Sequence, residues 1–276
     1  MKRSIKLSRE PFRYRSVDDF LNASFIPNGN IEIEAGLPIH LYWSDRGAST
    51  LFVAFSAALK PTVKNVPAFG GYGTTKDLPA NVLLISDPTL ILDEKFTLAW
   101  YQGSNKQPDL PLTLTEIIKK FAGRQRLILF GPSGGGYAAL EQATRLRNST
   151  VIACNPQVDI SRYHYFDTYV EKAWGSFENM PSGQRGAVDL TGHYSKPVET
   201  RVIYLQNKGD DHLADHWQYF YDHVHPMNPL LNLIVDLGDG HLAPGKDSFT
   251  AVFHSVCQAQ SWIQVVNRLS GLQITR

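Results

Sequence analysis

The chain has 276 residues, 43% of them hydrophobic and 19% charged. That apolar share supplies a sizeable core and excludes disorder. Lys and Arg number 27 against 26 Asp and Glu, a formal net charge of +1. Nothing in that balance selects nucleic acid or an anionic membrane as partner.

The N-terminal stretch MKRSIKLSREPFRYRSVDDF is basic but has no apolar h-region, so it does not read as a secretory signal. The basic residues at 2–15 are expected to form a solvated arm. No stretch approaches the ~20 apolar residues of a membrane helix. The expectation is a cytoplasmic protein without a membrane span. Cys154 and Cys257 sit inside the apolar runs VIACNP and FHSVCQ and read as buried, reduced thiols.

Short apolar runs at 31–35, 39–43, 50–55 and 81–86 predict early strands. Further runs at 126–130, 150–155, 201–206 and 232–237 predict later ones. Most are near-continuous rather than alternating, as in strands covered on both faces. Helical patterns separate the later runs: LTEIIKKFAG at 114–123, YAALEQATRLR after Gly136, and a closing helix over 249–269. Neighbouring early strands followed by strand–helix alternation predict an antiparallel start running into a parallel sheet. Residues 57–80 carry prolines and small residues without helical period. Residues 156–200 form an aromatic-rich insertion between two strands, placed to cover a site as a lid.

The stretch Gly131-Pro132-Ser133-Gly134-Gly135 matches G-x-S-x-G between a strand and a helix. A serine on so sharp a turn projects its hydroxyl above the sheet, beside the free N–H groups of a helix start. Gly134 to Ala139 also fit G-x-G-x-x-A, a dinucleotide turn. However, half the chain precedes it, and Cys154-Asn155-Pro156 stands where an acidic residue would end the next strand. No Lys follows the glycines as a phosphate loop requires.

A serine needs a base, and the base an orienting acid. After the run at 232–237 comes Gly238-Asp239-Gly240-His241, which makes His241 the base. After the run at 201–206 comes NKGDDHL, which makes Asp210 the acid, with adjacent Asp211 the alternative. Asp239 is too close to His241 along the loop to orient it. Oxyanion donors are expected from the Gly134 amide and from Ser56 or Ala57 after the third strand. His212 and His216 have metal-ligand spacing on a helix but read as polar surface, like His223 and His225; no metal is expected. Trp100, Tyr101, Tyr163 and His164 are substrate-binding candidates.

These motifs stand in the order Ser, Asp, His, and the chain resembles the α/β-hydrolase superfamily over residues 30–270. The resemblance implies an α/β fold with a mostly parallel central sheet flanked by helices. It implies one α/β-hydrolase domain over 1–276, with an N-terminal extension (1–30) and the insertion at 156–200. The strings LISDPTLILDEKFTLAWYQG (84–103), GPSGGGYAAL, NPQVDI, LQNKGDDHLADH and GDGHLAP further resemble bacterial hydrolase-like proteins linked to capsule and surface-glycan biosynthesis. Some of those are similar to glycan O-acetyltransferases.

The activity expected is a serine hydrolase that takes a small-molecule or glycan ester, or a thioester, through an acyl-serine. O-acyl transfer to a hydroxyl and a non-catalytic interaction role are the alternatives. No organic cofactor is needed.

Overall fold

The computed structural model describes residues 2–7 and 9–276. Its strands are β1 (Ser4–Ile5), β2 (Phe12–Tyr14), β3 (Gly29–Ile33), β4 (Ile39–Ser44), β5 (Thr50–Phe55), β6 (Asn65–Val66), β7 (Asn81–Ile85), β8 (Arg126–Pro132), β9 (Thr150–Cys154), β10 (Arg201–Gly209) and β11 (Leu230–Asp239). Nine of them form one sheet in the order β11-β10-β9-β8-β5-β7-β4-β3-β2. From β7 and β5 through β11 every pairing is parallel, while β4 runs antiparallel to both β3 and β7. This is the α/β-hydrolase arrangement expected from the order of the runs.

The period-two geometry of a strand divides the core between the two faces. Leu51, Val53 and Phe55 of β5 enter one cluster, and Phe52 and Ala54 enter the other. All six residues of β5 are buried, which explains why the strand reads as a continuous apolar run.

The helices are α1 (Val17–Asn22), α2 (Tyr72–Thr75), α3 (Leu110–Ala122), α4 (Gly134–Ala143), α5 (Phe166–Trp174), α6 (Ser182–Ala187), α7 (Thr191–Tyr194), α8 (Tyr219–His223), α9 (Lys246–Gln258) and α10 (Trp262–Ser270). In α3, Leu110, Leu114, Ile117, Ile118 and Phe121 recur at helical spacing and bury one face. Among the described residues no helix is long and apolar enough to cross a membrane.

Three expectations change. The closing helix over 249–269 is two helices. The Ser261 hydroxyl caps α10 by accepting from the Gln264 amide at 3.3 Å, and Ala259 is extended. The Arg126 guanidinium donates to the carbonyls of Val256, Cys257 and Ala259, so it holds the end of α9 away from α10.

The basic N-terminus is not simply a solvated arm. β1 pairs with β6, and Arg3 is only 3% exposed. Its guanidinium donates to the carbonyls of Leu90, Val63, Glu94 and Phe96.

The insertion at 156–200, expected to cover a site as a lid, contributes side chains to the core. Phe166, Tyr169, Trp174 and Tyr194 are buried in the same cluster as β5 and β8. Cys154 and Cys257 are buried and free, and burial raises both thiols, Cys257 to about 12.

Candidate active site

Ser133 stands between β8 and α4 with φ 52° and ψ −122°. A non-glycine residue reaches that region only where surrounding structure enforces it. Two glycines allow it. A Cβ on Gly131 would lie 2.0 Å from the Gly135 carbonyl oxygen, and one on Gly135 would lie 2.6 Å from that of Phe55. Strand, turn and neighbouring strand therefore meet backbone to backbone. The Ser133 amide donates to the Cys154 carbonyl at 2.8 Å, which fixes the turn against β9.

Asp210 follows β10 and His241 follows β11. His241 Nδ1 lies 2.7 Å from Asp210 Oδ2, and the second oxygen of Asp210 accepts from the His212 amide at 2.9 Å. Asp210 has no exposed side chain, whereas Asp211 is exposed and makes no hydrogen bond to His241 among the described residues. Burial alone would raise the Asp210 carboxyl. The His241 and His212 hydrogen bonds and the imidazole charges outweigh it and hold the group below the usual carboxylate range.

Two buried asparagines, absent from the sequence reading of the site, stitch these loops together. Asn155, with φ 43°, donates from Nδ2 to the Leu242 carbonyl at 2.7 Å and accepts the Asn207 amide at Oδ1 at 2.7 Å. Asn207 Nδ2 donates to the carbonyls of Gly238 and Gly240, both at 2.8 Å, and its Oδ1 accepts from Leu237. The turn that carries His241 is thus held from the ends of β9 and β10. No motif announces an amide that satisfies backbone groups of a distant loop.

Among the described residues the hydrogen bond at Ser133 Oγ comes from Gln157 Nε2 at 3.2 Å, and none joins Ser133 to His241. The Gln157 amide has one possible orientation. The Trp100 indole N–H can only donate, and it donates to Gln157 Oε1 at 2.8 Å. Nε2 therefore faces the serine, and Ser133 Oγ accepts. The hydroxyl keeps its own proton free for another partner. Gln157 is a further residue that the sequence reading missed.

The oxyanion expectation narrows. The Ser56 amide donates to Tyr101 Oη at 2.7 Å, so it is not available. Gly134 and Ala57 amides have no backbone or side-chain acceptor among the described residues.

Trp100 and Tyr101 do not line the cavity beside His241 either. They are 0% and 3% exposed, and both are left-handed, with φ 51° and 59°. Asp87 holds the second of them by accepting the Tyr101 amide at 2.8 Å, and burial raises this carboxyl to about 6. Trp100 packs against Gly134, where an added Cβ would lie 3.3 Å from its Cδ1, and Tyr101 Oη donates to the Ile85 carbonyl at 2.9 Å.

A cavity of about 340 Å³ opens beside His241, lined by Arg162, Tyr163, His164, Asp211, His212 and others. Of the substrate-binding candidates, Tyr163 and His164 are therefore the two that line it. The expectation of a polar surface fails for His216, which is 1% exposed and accepts the Val158 amide at Nδ1. Burial, then the His212 charge, push its imidazole down to about 3. Burial and the His241 charge likewise lower His212, whose ring lies 4.3 Å from that of His241. Its Nδ1 is buried with no partner among the described residues. Asp210, His212 and His241 each offer a ligand atom, all within 4.8 Å of one another, a set able to hold a divalent cation.

No protein-family model matches the sequence, and no curated protein matches it. Solved structures do. The chain is similar to the capsule O-acetyltransferase of Neisseria meningitidis serogroup A, with a TM-score of 0.68 at 14% identity over 87% of this chain and 99% of that one. A mutant of that enzyme in complex with CoA matches with a TM-score of 0.64 at 14% identity, over 83% of this chain and 95% of that one. An S-formylglutathione hydrolase from Agrobacterium tumefaciens matches with a TM-score of 0.54 at 14% identity, over 84% and 95%. At these identities the likeness is one of fold.

Proposed function

We propose that the protein catalyses acyl transfer through an acyl-Ser133 intermediate, with His241 as base and Asp210 as its orienting acid. The observation that carries this reading is the strained serine turn at φ 52° on the same sheet end as an Asp210–His241 pair at 2.7 Å. Strain of this kind is retained where surrounding structure over-determines it, often at sites of chemistry.

His241 Nε2 takes the Ser133 proton as Oγ attacks the acyl carbonyl. The amides of Gly134 and Ala57 hold the tetrahedral oxyanion, a donor of this kind contributing ~3 kcal/mol. Collapse returns the proton to the leaving group and leaves an ester on Ser133. An acceptor O–H then gives its proton to His241 and takes the acyl group.

Water as acceptor makes the protein a hydrolase; a sugar hydroxyl makes it an O-acyltransferase. The second reading is favoured by the similarity to the capsule O-acetyltransferase, which spans nearly the whole of that chain. The CoA complex of that enzyme suggests an acyl thioester as donor.

The test is intact-mass labelling with a fluorophosphonate on wild type, Ser133→Ala and His241→Ala. One adduct on wild type, lost in both variants, is expected. Acetyl thioester turnover, with and without oligosaccharide acceptors, then separates transfer from hydrolysis. A folded wild type that takes neither the label nor an acetyl group from the thioester refutes the reading.

A further inference from the structure

A second concavity, of about 850 Å³, runs along β3 and β4 and shares no lining residue with the cavity beside His241. Five strand-to-strand steps separate β4 from β10 in the sheet, which places the two roughly 24 Å apart at ~4.8 Å per step. Its floor is aromatic. Tyr42 stands edge-on to Tyr72 with ring centroids 5.1 Å apart, and its ring is 6.3 Å from that of Phe69. Tyr72 is 54% exposed, so its ring stabilises the fold little.

The rim is cationic. Lys6 and Arg9 line the groove, are exposed, and form no ion pair among the described residues, and no Asp or Glu lines it. The two cations stand on a tethered backbone. The Lys6 amide donates to the Val66 carbonyl at 2.7 Å, and Asn30 Nδ2 donates to the Arg9 carbonyl at 3.2 Å. With β1 paired to β6 and Arg3 buried, the backbone-ordering cost at these positions is met in folding, which leaves side-chain ordering as the cost on binding.

One exposed and two half-buried aromatic rings in a concave, polar-edged groove suit the C–H faces of pyranose rings, whose partial positive charge meets the negative face of the π-system. Unpaired cations at one edge suit an anionic substituent. Nucleic-acid affinity is built from many phosphate contacts, and two cations supply few of them. A lipid surface is flat, and the groove is concave.

We propose that this groove is a binding site for an acidic oligosaccharide, with a sugar ring on Tyr72 and Tyr42 and its carboxylate or phosphate at Lys6 and Arg9. The site is separate from Ser133, and its occupancy does not depend on the serine chemistry.

The experiment is calorimetric titration of the full chain with a hyaluronate hexasaccharide, a phosphorylated oligosaccharide and neutral maltohexaose. The proteins are wild type, Ser133→Ala, Tyr72→Phe, Tyr72→Ala and Lys6→Ala/Arg9→Ala, each checked for native circular dichroism. At least one acidic probe is expected to bind wild type and Ser133→Ala equally, and Tyr72→Phe nearly as well. Tyr72→Ala weakens it about tenfold, or about 1.4 kcal/mol. The double variant weakens it similarly and removes most of the salt dependence.

The proposal is overturned if neither acidic probe binds at millimolar concentration, if maltohexaose binds as well, or if the groove variants bind like wild type. Sedimentation showing a dimer that Tyr72→Ala dissociates would assign the groove to a second copy instead.

Discussion

Gln157 gives the sharpest test of the site. Its amide is oriented by the Trp100 indole at 2.8 Å and donates to Ser133 Oγ at 3.2 Å. Gln157→Leu removes both bonds. Losing one neutral hydrogen bond of about 1 kcal/mol at the serine slows acylation about fivefold. Leaving the buried Trp100 N–H without an acceptor costs a further 1–3 kcal/mol or so of stability.

Gln157→Glu is the more informative change, because it keeps the shape and an acceptor for Trp100. When ionised, its second oxygen accepts the Ser133 proton and turns it away from His241. Breaking a charge-assisted bond of about 1.5–3 kcal/mol before proton transfer slows acylation roughly 10- to 150-fold. When protonated, the carboxyl donates to Oγ much as the amide does. The ratio of the Gln157→Glu rate to the wild-type rate therefore falls as pH rises. The assay is the pseudo-first-order rate of fluorophosphonate labelling across pH, with urea unfolding as the control. A Gln157→Glu profile parallel to wild type, with Gln157→Leu within twofold of it, refutes the positioning role.

Three further outcomes are expected. Asp87 is raised to about 6 by burial, so the folded state keeps a proton that the unfolded state releases near pH 4. Its contribution is present below about pH 4 and is lost as pH rises through about 6, by roughly 3 kcal/mol in all. Urea unfolding should show wild type losing that much relative to Asp87→Asn between about pH 4 and pH 7; parallel curves would contradict it.

A Cβ on Gly131 would meet backbone at 2.0 Å, whereas one on Gly134 would meet the movable Leu98 Cδ1 at 2.3 Å. Gly131→Ala should cost at least about 3 kcal/mol or fail to fold, and Gly134→Ala clearly less, by thermal unfolding. Zn²⁺ should slow Ser133 labelling, because Asp210, His212 and His241 can ligate it and His241 is then no longer a base. A chelator should restore the rate, and His212→Ala should tolerate about tenfold more zinc. Inhibition unchanged in that variant would place the metal elsewhere.

The sheet was legible because buried parallel strands such as β5 and β9 are unbroken apolar runs, and the serine turn because glycine spacing is dictated by backbone approach. Asp210 and His241, singled out from their place after strands, are paired at 2.7 Å. What stayed hidden acts through amides and single side chains without a pattern. Asn155, Asn207 and Gln157 satisfy backbone or side-chain groups far away in sequence. Arg3 binds carbonyls some 60–93 residues distant. The break between α9 and α10 was invisible because the apolar period continues across it, and only the Ser261 cap and Arg126 separate the two. Trp100 and Tyr101 read as substrate-binding candidates because composition cannot show a left-handed, buried backbone.

The strand order carries a temporal consequence. β8, which leads to the serine, lies in the middle of the sheet between β5 and β9, while β11, which leads to His241, is an edge strand and pairs with β10 alone. Edge elements open with less free energy than central ones. The end of the sheet that leads to His241, the proposed base, is therefore expected to be the first to fray. Loss of activity on warming should precede loss of the core, and amide exchange in β11 should outpace that in β8 well below the melting temperature.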